Sequence, residues 1–234
     1  MSYFNYLYYY NWSYILFMLP FIILTLIVQF GMKSTFRKYS NIRNSRGLTG
    51  VQAAERVLMH NGVSGVKIER VSGSLTDHFD PRTNVIRLSD SVYNSNSIAA
   101  VGVACHEAGH AVQHAIGYVP NKIRSAILPV ANLGSKLSWI LIVLGLVTSA
   151  MQPLLYIGIV LFSASVLFTV ATLPVEFNAS ARALSCIKET GMLSEGEYTG
   201  AKRTLQAAAM TYVASAAVAI AQLLRILMMA NRRN

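Results

Sequence analysis

Residues 98–118 read IAAVGVACHEAGHAVQHAIGY, and this stretch decides both the fold and the chemistry. It contains no proline, and apart from its three histidines Glu107 is its only charged residue. Asn94, Ser95, Asn96 and Ser97 stand just before it, each able to cap a helix by accepting a hydrogen bond from an orphan amide. The run therefore predicts a long, mostly buried helix over about 97–118. Residues four apart share a helix face, so His106 and His110 can reach one metal ion. Glu107 falls beside the pair, placed to take a proton from water without being a ligand. A His-Glu-x-x-His segment on a helix points to a zinc-dependent peptidase, because zinc lowers the pKa of its water to about 7.

The remainder of the chain places that helix in a membrane protein. Among 234 residues, Lys and Arg number 20 against 10 Asp and Glu, a net charge of +10. A basic balance can signal nucleic-acid binding, but 53% hydrophobic and only 13% charged residues argue against a nucleic-acid partner and for a bilayer. No charged residue occurs from Met1 to Met32, nor between Lys136 and Glu176. A spanning helix needs about 20 apolar residues. The first stretch holds one span near 12–30, and the second holds two, near 133–150 and 154–173, broken at Gln152-Pro153. The tail over 207–230 is a fourth candidate, with Arg225 as its only charge. The expected fold class is thus a mainly α membrane protein with three or four transmembrane helices and a small α+β region.

The uncharged, tyrosine-rich start lacks the positive n-region of a cleaved signal peptide and reads as a retained anchor. Tyrosines at 3, 6, 8, 9, 10 and 14, with Trp12, suit an interfacial aromatic belt. Lys33, Arg37, Lys38, Arg43 and Arg46 follow the first span, which predicts a cytoplasmic flank, an outside N-terminus and a site on the cytoplasmic side. Arg232 and Arg233 disagree if the tail crosses completely, but they form the smaller cluster. Cys105 and Cys186 form no zinc clip or disulfide framework, and Cys105 reads as a small core residue.

Organisation follows in five parts: an anchor over 1–32, a catalytic region over 33–125, an apolar hairpin over 126–175, a segment with the third ligand over 176–206, and an apolar helix over 207–234. Thr49-Gly50-Val51-Gln52 is a capping box for a helix ending near His60, stopped by Asn61-Gly62. Residues 66–71 and 84–88 read as strands of a short hairpin or sheet. Ser194 to Glu197 forms a second capping box, opening a helix toward the apolar tail.

A catalytic zinc needs three protein ligands and an open position. His114 extends the series 106, 110, 114, but eight residues of helix separate it from His106 by about 12 Å along the axis. It is expected to pack behind the site or orient a ligand. Glu176 is the better third ligand, since an acid next to a long apolar stretch needs a partner such as a dication. Asn178 and Arg182 follow closely enough to orient a ligand, and Arg182 and His78 are candidate stabilisers of the transition state.

The segments HEAGHAVQH over 106–114, LPVEFNAS over 173–180 and TDHFDPR over 76–82, followed by VIRLS over 85–89, resemble the YugP-type membrane zinc metallopeptidases of bacteria. The likeness covers nearly the whole chain. More distantly the chain is similar to gluzincin membrane proteases, including the HtpX heat-shock protease and the CAAX prenyl endopeptidases. Those pair His-Glu-x-x-His with a downstream Glu-x-x-x-Asp, and here Ser180 occupies the aspartate position. The resemblance implies one zinc per chain, Glu107 as general base and an integral-membrane endopeptidase of the bacterial cell membrane. It also implies a protein or peptide substrate lying along an edge strand, here Asn84, Val85 and Ile86. Two other classes stand beside this one. A site-2-type intramembrane protease pairs the motif with Leu-Asp-Gly, which does not occur in this sequence. A non-catalytic scaffold with structural zinc needs a closed, usually cysteine-rich set of four ligands. Membrane-protein partners and homo-oligomers are left open by the sequence.

Overall fold

The computed structural model describes residues 3–147 and 151–231, with side chains from residue 15 onward. The aromatic-belt expectation for residues 3–14 and the orientation signal of Arg232 and Arg233 lie outside the described side chains. Among the described residues six helices and a small sheet follow in order: α1 (Tyr3–Ser40), α2 (Gly50–His60), β1 (Lys67–Val71), β2 (His78–Asp80), β3 (Val85–Ser89), α3 (Ile98–Ala115), α4 (Val119–Val147), α5 (Gln152–Glu189) and α6 (Glu195–Asn231). The chain divides into two compact units, one of residues 1–29, 123–171 and 211–234, the other of residues 30–122 and 172–210.

The first unit is apolar on its outside. Four helices among the described residues are long and apolar enough to cross a membrane: Ile15–Ser40 of α1, and α4, α5 and α6. Only 6% of the apolar window of α1 is buried, and 22% of that of α5. Ile23, Ile27, Ile140, Val147, Val160, Leu167 and Leu224 all stand exposed. Large apolar side chains gathered on exposed helix faces mark a surface that meets something other than water. A bilayer core is the solvent such faces fit, and the apolar windows are long enough to cross one. Inside the unit, α4 and α5 approach closely through small residues. A Cβ on Gly134 would overlap the Leu161 carbonyl, and one on Gly145 would overlap the Leu155 backbone. Gly158 sits as tightly against Ile142, 2.8 Å from where its Cβ would be. Ser165 donates to the Ala131 carbonyl at 3.0 Å, and Trp139 meets Phe162 edge to face. Such small-residue seams are how helices associate where no hydrophobic drive exists between them.

The second unit is built on α3. Ser97 caps it, its Oγ accepting from the Ala100 amide at 3.1 Å, within the 94–97 stretch that offered cap residues. The helix stops where Gly117 adopts φ +65°, with the Tyr118 amide donating to the Gln113 carbonyl at 2.9 Å and the Gly117 amide to that of His114 at 3.1 Å. Helix α2 begins with the complete capping box of Thr49 and Gln52 and ends at Asn61. It buries Ala53, Ala54, Val57 and Leu58 in a core shared with Val101, Ala104, Cys105 and Ala108 of α3. Cys105 and Cys186 are free and buried, and burial pushes the Cys105 thiol well above its ordinary pKa.

The sheet corrects one expectation. Its order is β1-β3-β2, with β1 parallel to β3 and β2 antiparallel to it. The strand of Val85 and Ile86, which Asn84 precedes, is therefore central and not an edge open to substrate. The short strand β2 lies within a turn-rich stretch and turns back through Asp80 onto the second side of β3. Asp80 holds that turn by accepting from the Arg82 amide and the Thr83 hydroxyl, each at 3.0 Å. Val85, Ile86, Leu88 and Ser89 are all buried, the pattern of a strand covered on both faces. Helix α5 runs unbroken through Pro174 from Gln152 to Glu189. One helix thus carries an apolar span and then Glu176.

Candidate metal centre

Helix α3 holds His106 and His110 one turn apart with their rings edge to face, centroids 4.7 Å apart. Their Nε2 atoms lie 3.1 Å from one another. Glu176 of α5 brings Oε2 to 3.3 Å from His106 Nε2 and 3.5 Å from His110 Nε2. Three bonds of 2.0–2.1 Å at tetrahedral angles require donor atoms about 3.3 Å apart. The triangle fits that requirement on every edge. Glu176 is 4% exposed, and its Oε2 is buried with no hydrogen-bond partner. A buried carboxylate oxygen facing two ring nitrogens is costly unless a cation sits among them. Among the described residues these three form the one group arranged to hold a metal ion.

Local sequence explains the approach of the two helices. Gly109 lies between the ligands on α3, and a Cβ there would stand 2.7 Å from the Ala179 carbonyl oxygen of α5. Only glycine lets the backbones come this close, so the glycine of His-Glu-Ala-Gly-His sets the reach of Glu176. Glu107 is 8% exposed and close enough for its charge to act on His110. Burial disfavours a charged His110 ring, but the neighbouring Glu176 and Glu107 carboxylates outweigh it and raise its pKa. The field at the donor atoms favours positive charge.

Each histidine is oriented from behind. His106 Nδ1 lies 3.1 Å from Ser180 Oγ, so a hydroxyl serves where the distant gluzincin pattern has a carboxylate. His110 Nδ1 lies 3.0 Å from Oε1 of Gln113, a residue with no exposed surface. Gln113 Nε2 donates to the Val175 carbonyl at 2.8 Å and to Asn178 Oδ1 at 3.0 Å. Arg182 Nε donates to the same Asn178 oxygen at 2.8 Å. Asn178 and Arg182 therefore stand on the Nδ1 side of His110, away from the converging donor atoms. Gln113 escaped the sequence reading, although a lone amide on the apolar helix three residues past His110 was the available signal.

The other candidates lie elsewhere. His78 is exposed, with Nδ1 2.9 Å from the Thr76 carbonyl. His114 is also exposed and rests against the Phe79 ring of β2, centroids 5.8 Å apart. His60, at the end of α2, pairs with Glu189 on the surface at 2.9 Å. Asn84 occupies the turn before β3 at φ +55°, and its amide donates to the Gly65 carbonyl at 3.0 Å.

A helix pair presenting two imidazoles and one carboxylate, in a mainly α protein with span-length apolar helices, defines the class of helical membrane protein with a candidate metal centre. A family model described as "Putative neutral zinc metallopeptidase" matches residues 14–231, and the chain belongs to that family. It is 46% identical over 200 residues to "Putative membrane protease YugP" of Bacillus subtilis (strain 168), covering 86% of this chain and 88% of that one. No solved structure matches.

Proposed function

We propose that the chain is an integral-membrane, zinc-dependent endopeptidase with its site on the cytoplasmic side. The observation that carries this reading is the triangle of His106, His110 and Glu176 donor atoms around a buried carboxylate oxygen with no other partner. Zinc held there would supply a Lewis acid that polarises the scissile carbonyl and acidifies water. Glu107, next to the ligands and nearly buried, takes the proton from the attacking water and passes it to the leaving amine. His106 and His110 side chains are 13% and 15% exposed, so both rings keep some contact with the surface. An extended substrate finds a free sheet edge on β1 or β2. Strand β2 is the edge against α3, through Phe79 and His114, so β2 is the strand we assign to substrate pairing. The cytoplasmic orientation rests on the basic residues from Lys33 to Arg46 that follow the first apolar stretch.

The test is Glu107→Gln in the full chain, assayed on an unfolded protein substrate in detergent or liposomes. Cleavage falls about 10²–10⁴-fold, the range for loss of a general base, while one zinc per chain stays bound. Full cleavage by this variant overturns the assignment of Glu107.

A further inference from the structure

We infer that Gln113 is a positioning residue that commits His110 to offer Nε2, and not Nδ1, to the metal, and that α5 sets the direction of its amide. This rests on the metal-centre reading above and extends it to residues that touch no metal.

The argument starts from two atoms whose roles admit one choice. The guanidinium of Arg182 only donates, and the backbone carbonyl of Val175 only accepts. Because Arg182 Nε donates at 2.8 Å, the Asn178 atom it meets is the oxygen. That oxygen lies 3.0 Å from Gln113, so the Gln113 atom facing it is the NH₂ group. The Val175 carbonyl, 2.8 Å from the same Gln113 nitrogen, requires the same orientation independently. The remaining Gln113 atom is therefore the oxygen, and it lies 3.0 Å from His110 Nδ1. An amide oxygen there demands a protonated Nδ1. That leaves the Nε2 lone pair directed at the point shared with His106 and Glu176. Turning the Gln113 amide over would set its oxygen against both the Val175 carbonyl and the Asn178 oxygen, and would bring its NH₂ group to His110 Nδ1. All of this occurs on a side chain with no exposed surface, where water cannot replace a lost partner.

The arrangement also couples the two ligand helices. The same α5 that brings Glu176 holds, through Val175 and Asn178, the residue that orients His110 on α3. A shift of α5 thus changes the third ligand and the second histidine together.

The experiment measures zinc affinity by chelator competition, and melting temperature in chelator, for full-length protein carrying Gln113→Leu, Gln113→Glu, Arg182→Met or His110→Ala. Gln113→Leu removes the acceptor and should weaken zinc binding about 10–100-fold, the usual range for loss of a group that orients a metal ligand. Gln113→Glu restores an acceptor for Nδ1–H but loses both donors. It should recover zinc affinity relative to Gln113→Leu while melting below wild type in chelator. Arg182→Met should weaken zinc binding less than Gln113→Leu, since Val175 still holds the amide. A merely structural Gln113 would make affinity follow melting temperature, with Gln113→Glu no better than Gln113→Leu, and that result overturns the proposal. Wild-type affinity in Gln113→Leu overturns it as well. Unchanged zinc binding in His110→Ala would instead strike the metal-centre reading itself, which separates the two failures.

Discussion

Helix α5 makes two close crossings, and each depends on glycine for a different reason. In the apolar unit, Gly134, Gly145 and Gly158 let α4 and α5 touch backbones, and what surrounds them is Leu161, Leu155 and Ile142. In the second unit, Gly109 lets α3 and α5 touch at Ala179, and what surrounds it is His106, His110, Glu176 and Gln113. Contact is the product at the first crossing, and tenths of an ångström can be absorbed by rearranging alkyl groups. At the second, contact is the means by which three donor atoms meet at tetrahedral spacing. The lesson is that similar steric demands protect stability in one place and chemistry in the other.

The comparison breaks most visibly at Gly109. Gly109→Ala should part α3 from α5 and misplace Glu176 relative to the imidazoles. A misplacement near 1 Å costs about 100-fold in rate, so proteolysis should fall by about that factor, together with zinc affinity measured by chelator competition. Wild-type zinc affinity in this variant would show that the α3–α5 approach does not set the metal geometry. Gly134→Ala sharpens the contrast from the other side. Overpacking at α4–α5 should lower stability by about 1–3 kcal/mol in a denaturant titration in detergent, with zinc affinity of the folded protein unchanged. The smallest expected effect is at the β2–β3 turn. The Arg82 amide and Thr83 hydroxyl, with nearby Arg82 and Arg87, hold the Asp80 carboxyl down to about 2 from an ordinary 3.8. A carboxylate with a lowered folded-state pKa stabilises above its unfolded value and loses that contribution as pH falls. Amide protection at Arg82, read by NMR, should therefore be intact above pH 4 and decline toward pH 2. The Asp80→Asn variant should lose this dependence.

What the sequence revealed, it revealed through local signals. The caps at Ser97 and Thr49, the stop at Asn61-Gly62, and the helical spacing of the two histidines each involve neighbours within a turn or two. Glu176 was also legible, because an acid that follows a long uncharged stretch has few explanations. Strand order was not legible. The position of β3 depends on β2, three residues whose strand character exists only through pairing with β3. The buried run of Val85, Ile86 and Leu88 was the one hint that this strand is central. Gln113 could not be singled out without knowing that Val175, Asn178 and His110 converge on it.

Zinc K-edge X-ray absorption of the purified full-length protein tests the central claim most directly. Coordination by His106, His110 and Glu176 predicts about one zinc per chain with only nitrogen and oxygen neighbours near 2.0–2.1 Å, two of them showing imidazole outer-shell scattering. A sulfur neighbour near 2.3 Å, which Cys105 or Cys186 would have to supply, or a first shell lacking imidazole, would contradict the account.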